Sequence, residues 1–319
     1  MSEKKSGNRN LHNAIRGKND EFYTQISDIE KEIQNYKEHL KDKVIFCNCD
    51  DPEESHFWRY LSENFEFLGL KKLVSTHFDY DKPSYKLEII ADINGDGKIN
   101  KLDTVKTPLK QNGDFRSPEC IEILKESDIV ITNPPFSLFR EYIAQLFEYE
   151  KKFIIIGNQN AITYKDFFKL IQENRVWFGK SIHSGDREFR VPEHYPLLAA
   201  GSRVDAEGNK YIRVKGVRWF TNIDYKERHE DLILYKVYRE NKSEYPKYDN
   251  YDAINVDKTK DIPIDYTGHI GVPITFLDKF NPDQFEIIKF RKGNDEKDLS
   301  INGKCPYFRI IIQNKKLHS

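Results

Sequence analysis

"SPECIEILKESDIVITNPPFSLFREYIAQLFEYEKKFIIIGNQN", residues 117–160, decides the fold. It reads helix, strand, helix, strand, with joints only a few residues long. Ile129, Val130 and Ile131 form a short β-branched apolar run of the kind buried in a parallel sheet. "KKFIIIGNQN" is a second such run. Alternation of this sort predicts a doubly wound, mostly parallel sheet, an α/β fold. The first strand runs into Asn133, two prolines and Phe136, with Ser137 available to cap the next helix. The elbow therefore holds Asn133 and Phe136 at the carboxyl end of a sheet, where open α/β folds bind ligands.

The same alternation extends outward. "ISDIEKEIQNYKEHLK" (26–41) has Ile26, Ile29, Ile33 and Tyr36 at helical spacing. "KVIFCNCDDP" (43–52) is a buried strand ending in an acidic loop, and 53–69 is an amphipathic helix closed by Gly69. "KKLVSTHF" is a further strand. Residues 85–105 read as a hairpin turning at "NGDG". After the core comes the helix "TYKDFFKLIQEN", with Thr163 as its expected cap. From about residue 175, "RVWFG" and "VKGVRWFTNI" are strands without intervening helices, an antiparallel edge on the sheet. Beyond 236 the chain turns rich in Tyr, Asp, Lys and Pro. The expected division is a catalytic domain over 1–235, with 1–20 a basic arm, and a C-terminal recognition region over 236–319.

Composition narrows the classes. The chain has 319 residues, 51 basic and 52 acidic, and a mean hydropathy of -0.74. The near balance excludes binding to nucleic acid through overall charge, so such a partner must meet a local patch. No apolar run approaches the roughly 20 residues of a membrane helix, and the start "MSEKKSGNRNLHNAIRGKND" lacks a signal peptide's apolar segment. Cys47, Cys49, Cys120 and Cys305 are too few and too irregular for a disulfide frame or a zinc site. They read as reduced thiols of a cytoplasmic protein.

The elbow suggests chemistry on a flat amine. The nitrogen of an aromatic amine or amide is a poor nucleophile because its lone pair is delocalised. Hydrogen bonds from it to the Asn133 oxygen and the Pro134 carbonyl pull it towards sp3 geometry, while Phe136 stacks on the ring. Such stacking contributes roughly 1–3 kcal/mol per base. Proline donates no N–H, and its fixed φ aims the preceding carbonyls. The bland alternative is a sharp turn with Phe136 in the core.

The phrases "DEFYTQISDIE" (20–30), "CNCDDP" (47–52), "GDFRS" (113–117), "SDIVITNPPFSLF" (127–139), "VPEHY" (191–195), "YPKYDNYDAINV" (245–256), "GVPITFLDKFNP" (271–282) and "INGKCPYFRI" (301–310) resemble those of the EcoRI-type adenine-specific DNA methyltransferases. The resemblance spans about residues 20–310. It implies methyl transfer from S-adenosylmethionine to N6 of an adenine flipped out of duplex DNA in a restriction–modification system, and, if the recognition region keeps the preference that names the family, within GAATTC. Asn133, Pro134, Pro135 and Phe136 match the catalytic motif. Phe22, Tyr23 and Thr24 match the motif beside the methionine part of the cofactor, and Cys47, Asn48, Asp50 and Asp51 occupy the first-strand cofactor loop without its usual glycines. Asp114 and Phe115 match the motif at the cofactor adenine, with a plain helix-start carboxylate as the alternative for Asp114. The acidic ribose contact is either Asp79 or Asp81. A monomer needing no metal and no protein partner is implied. Guanine-N2 RNA and protein-glutamine methyltransferases share the tetrapeptide but normally carry a glycine-rich first loop.

Two further features compete with this reading. "DINGDGKINKLD" (92–103) fits a calcium-loop template, yet it follows a strand and ends in Asp where a bidentate Glu is preferred. We read it as a hairpin turn. Arg203, Lys210, Arg213, Lys215 and Arg218 line either a DNA cleft or a solvated hairpin face. Lys289, Arg291 and Lys292 form a second small cluster.

Overall fold

The computed structural model describes residues 22–49, 51–79, 83–183, 185–193, 195–197 and 201–316. The basic arm, Asp50, Asp81 and His194 lie outside them. The chain divides into two compact units. The first takes in residues up to Ala161 together with Gly179–Ile223, and the second is Ile162–Phe178 with Asp224 onward. The second unit thus includes the 162–178 segment as well as the residues from Asp224 onward.

In the first unit the main elements are α1 (Ile26–Ile33), β1 (Val44–Cys47), α2 (His56–Glu63), β2 (Lys72–Thr76), β3 (Tyr85–Ile89), β4 (Val105–Pro108), α3 (Pro118–Glu126), β5 (Ile129–Thr132), α4 (Phe139–Glu148) and β6 (Lys152–Asn158). Then come β7 (Asp186–Val191), β8 (Arg203–Val204), β9 (Lys210–Lys215) and β10 (Val217–Thr221). The first unit's share of the main sheet is seven strands, in the order β4-β3-β2-β1-β5-β6-β10. The central pairs β2–β1, β1–β5 and β5–β6 are parallel. The flanking β2–β3, β3–β4 and β6–β10 pairs are antiparallel. The doubly wound core and its antiparallel edge therefore stand as read. Strand order reverses between β1 and β5, so their carboxyl ends open a crevice. All four β5 residues are buried, as their unbroken apolar run requires. A separate antiparallel sheet has the order β7-β9-β8.

Three local expectations need correction. The hairpin exists, but a long loop over 90–104 joins β3 to β4 where a tight turn at "NGDG" was expected. Its carboxylates turn inward onto backbone. Asp92 accepts N–H bonds from Gly95 and Gly97 at 2.6 and 2.8 Å, and Asp103 from Ile93 and Asn100 at 2.9 Å each. Ser137 does not cap α4, which starts at Phe139 after the 3-10 turn Phe136–Leu138. Tyr164, not Thr163, stands at the cap of the helix after β6. Neither position makes a side-chain capping bond, and packing of the apolar face sustains the helices.

That helix, α5 (Lys165–Gln172), belongs to the second unit. There it packs on a four-stranded sheet of β11 (Ala253–Asn255), β12 (His269–Pro273), β13 (Phe285–Phe290) and β14 (Arg309–Asn314), in the order β11-β12-β14-β13. Phe168 stacks on Phe290 with centroids 4.9 Å apart, and Tyr248, Ala253, Leu299 and Ile311 form a core cluster. Among the described residues no helix is long and apolar enough to cross a membrane, and no group of His, Cys, Asp and Glu could hold a metal ion.

Candidate active site

The end of β5 presents Asn133, only 6% exposed, and the 3-10 turn presents Phe136. The Asn133 Nδ2 donates to the carbonyl of Phe22. An amide is planar, so fixing its nitrogen fixes the direction of its oxygen. Phe22 belongs to a short strap, residues 22–24, that is held from several sides. Tyr23 exchanges backbone bonds with Arg190 of β7, at 2.8 and 3.2 Å. His56 Nδ1, at the start of α2, lies 2.7 Å from the Thr24 carbonyl. The ring of Phe22 meets Phe136 edge to face, with centroids 5.4 Å apart, and packs on Phe189 and Tyr195.

Beside this elbow lies the end of β1. The Cys49 N–H donates to Thr132 Oγ1 at 3.2 Å, so the β1 loop is laced to the β5 end. Ser75 Oγ, on β2, donates to the Cys47 carbonyl at 2.9 Å. Asn48 is buried, and its Oδ1 accepts from the hydroxyl of Tyr142 on α4. Asn48 Nδ2 and Thr24 Oγ1 are among the buried polar atoms that have no hydrogen-bond partner. A buried polar group left unmatched costs roughly 1–3 kcal/mol. Such atoms, on the loop after β1 and on the strap beside Asn133, are what a chain built to receive a small polar ligand shows. The residues therefore fit a cofactor here.

The carboxylates of this region are engaged otherwise than expected. Asp51 Oδ1 accepts from the Glu53 N–H at 2.8 Å, its carbonyl accepts from Ser55 N–H at 2.6 Å, and its Oδ2 lies 3.6 Å from His77 Nε2. It shapes the turn into α2, which Ser55 caps. Asp114 binds Arg116 through both oxygens, at 2.9 and 2.7 Å. Although burial opposes the charge, the Arg116 guanidinium and backbone hold its carboxyl below the ordinary range. Any ligand amine must share that carboxylate with Arg116. Phe115 is buried edge-on to Tyr142 at 5.1 Å. The backbone N–H of Asp79 donates to the Asn112 carbonyl at 2.9 Å.

The expected DNA-facing cations separate into several situations. Arg218 is corrected outright: it is 3% exposed and donates to the carbonyls of Val217 and His183, which makes it an internal tie of the sheet. Arg203 forms a bidentate pair with Glu188 at 2.9 and 2.6 Å and stacks over Tyr211. Lys210 donates to the carbonyl of Glu193. Arg213 and Lys215 are exposed on β9, with Glu188 and Asp186 opposite them on β7. In the second unit Arg291 and Lys292 share Asp298, at 2.6 and 3.0 Å, and Lys289 lies over the Tyr251 ring.

Tyr142, His56, Arg190 and Phe189 escaped sequence reading. Tyr142 and Phe189 look like ordinary core aromatics, and no local spacing marks a residue whose partner lies across the sheet.

Comparison with known proteins places this geometry. A family model described as adenine-specific methyltransferase EcoRI matches residues 10–315. The chain is similar to the type II methyltransferase M.EcoRI of Escherichia coli, at 56% identity over 97% of this chain and 98% of that protein. It is also similar to the type II methyltransferase M.MpnI of Mycoplasma pneumoniae, at 38% identity over 96% and 98%. A type II methyltransferase of Mycoplasma genitalium is 37% identical over 96% and 99%.

Proposed function

The chain belongs to the EcoRI family of adenine-specific methyltransferases, and from that premise we propose that it transfers a methyl group from S-adenosylmethionine to N6 of an adenine flipped out of double-stranded DNA. S-adenosylmethionine supplies an electrophilic methyl carbon on sulfur. Asn133 Oδ1 and the Pro134 carbonyl accept from the adenine amine, which raises the nitrogen's nucleophilic character, and Pro135 keeps the turn rigid. With the cofactor bound, its methyl carbon would pass from sulfur to this nitrogen, which Asn133 and Pro134 hold in place, and the amine proton would leave to water. Phe136 stacks on the base. Because Phe136 is 9% exposed, with Phe22 and Phe189 beside it, one of those rings must move as the base enters. Extrusion itself costs a few kcal/mol.

The anchoring of Asn133 at the β5 end, next to the β1 loop, is the observation that carries this reading. The strap residues Phe22, Tyr23 and Thr24, the loop residues Cys47, Asn48 and Asp51, and Asp114 with Phe115 surround the cofactor. Arg203, Lys210, Arg213, Lys215, Lys289, Arg291 and Lys292 meet phosphate by exchanging protein carboxylates for DNA oxygens. The protein acts as a cytoplasmic monomer, and its target is GAATTC, protected thereby from a matching endonuclease. Expression in a methylation-free bacterial host, with modified bases mapped by single-molecule sequencing, tests this directly. N6-methyladenine at one position of GAATTC is expected. An unmodified genome overturns the activity, and a different methylated motif overturns only the target.

A further inference from the structure

We propose that Tyr142 is a positioning residue that dictates which end of the Asn48 amide faces the cofactor. This rests on the methyltransferase reading above and deepens it. Tyr142 is 0% exposed and sits one turn into α4, the helix that follows the catalytic elbow. Its hydroxyl donates to Asn48 Oδ1, and the Cys49 thiol approaches the same oxygen at 3.6 Å. Two donors therefore converge on one end of the amide. The other end, Nδ2, is buried without a partner. An amide turned this way offers two N–H bonds and needs an acceptor. A tyrosine is well suited to the task, since Phe115 braces its ring edge-on at 5.1 Å and fixes the hydroxyl in place. Phe115 and Asn48 come from different loops, so Tyr142 also ties the first-strand loop to the loop before α3.

The ligand atom that fits is an oxygen or ring-nitrogen acceptor on the cofactor. The carboxylate of its methionine end and the acceptors of its nucleoside end share this chemistry. Removing the hydroxyl lets the amide turn over and costs about one net hydrogen bond, close to tenfold in affinity.

Calorimetric titration of the full chain with S-adenosylhomocysteine tests this without turnover. Tyr142→Phe is expected to weaken binding about tenfold while affinity for duplex DNA stays within twofold of the parent. Asn48→Asp, which replaces the donor with a carboxylate of the same shape, is expected to weaken it further, and Tyr142→Phe added to Asn48→Asp should have no additional effect. Titration with 5′-methylthioadenosine, which lacks the amino-acid end, separates the two sources. If only S-adenosylhomocysteine is affected, the acceptor is the carboxylate; if both are, it lies on the nucleoside. Parent-like binding of S-adenosylhomocysteine by Tyr142→Phe or by Asn48→Asp overturns the inference. A parent protein that binds neither ligand overturns the methyltransferase reading instead.

Discussion

Asn133 has one end of its amide committed to the Phe22 carbonyl, so its side chain is a fixed acceptor rather than a mobile one. Asn133→Ala removes that acceptor in the transition state, and we expect kcat to fall at least about 1,000-fold. S-adenosylhomocysteine affinity should change by less than about threefold, because the Asn133 amide is tied to the Phe22 carbonyl and its role is to hold the base rather than the cofactor. Single-turnover methylation of a duplex oligonucleotide, alongside calorimetry, reads both; full activity in the variant would remove Asn133 from the chemistry. Gly113 offers a second residue-scale test. Its φ is +79°, and an added Cβ would lie 1.9 Å from the His77 carbonyl oxygen. Gly113→Ala should therefore destabilise the first unit by about 2–4 kcal/mol in urea unfolding. The elbow was legible in the sequence because Asn133, Pro134 and Phe136 are adjacent in the chain and each has a distinct chemistry. Asn48 and Tyr142 meet only because α4 folds back across the β1 end. Asp114 was legible as a carboxylate, but its capture by Arg116 depends on a turn that spacing alone does not fix.

At the scale of elements, period and composition identified the strands well wherever burial was complete. Ile129–Ile131 and Phe153–Ile156 are continuous apolar runs, and both lie in neighbouring parallel strands at the centre of the sheet. The failures cluster where side chains bond to backbone. In 90–104 the residues Asn94 to Gly97 suggest a two-residue turn, yet Asp103 reaches back over nine or ten positions to organise the loop. Its side chain is buried, and the N–H bonds it accepts hold its carboxyl below the ordinary range. Asp103→Asn replaces one accepting oxygen with a donor, so an N–H of Ile93 or Asn100 loses its partner. Amide hydrogen exchange over 90–104 should accelerate while exchange in β5 and β6 stays unchanged. Unaltered protection in the loop would show that its order comes from elsewhere. Addition of calcium should leave the parent's exchange pattern as it is, because the loop's carboxylates already have backbone donors.

At the scale of the whole molecule, the chain carries almost no net charge, and several of its described cations pair with carboxylates of their own unit, as Arg116 does with Asp114 and Arg291 with Asp298. This explains why composition could not announce a DNA-modifying enzyme; the grouping of 162–178 with residues from Asp224 onward was equally illegible, because that segment is separated in sequence from its partners. The second unit is held partly by such matched charges. His229 lies between two carboxylates, with Nδ1 2.6 Å from Asp283 and Nε2 2.7 Å from Asp224, and both raise its pKa. Asp224 and Asp283 are in turn lowered. The signs define a window. A histidine whose pKa is raised on folding adds stability that is complete below its unfolded value, near 6.5, and is lost as pH climbs through the folded value. The lowered aspartates add stability above their unfolded values, near 3.9, and lose it as pH falls through the folded ones. The clamp should therefore be tightest between about pH 4 and pH 6.5. Because the His229 side chain is 37% exposed, solvent screens the pair and the effect is modest. Urea unfolding followed by hydrogen exchange in the second unit should show its midpoint falling as pH rises from 6 to 9. His229→Gln, which keeps a polar side chain but cannot gain a proton, should flatten that dependence and leave the first unit's profile untouched. An equal pH slope in parent and variant would assign it to other groups and leave His229 a surface contact of little consequence.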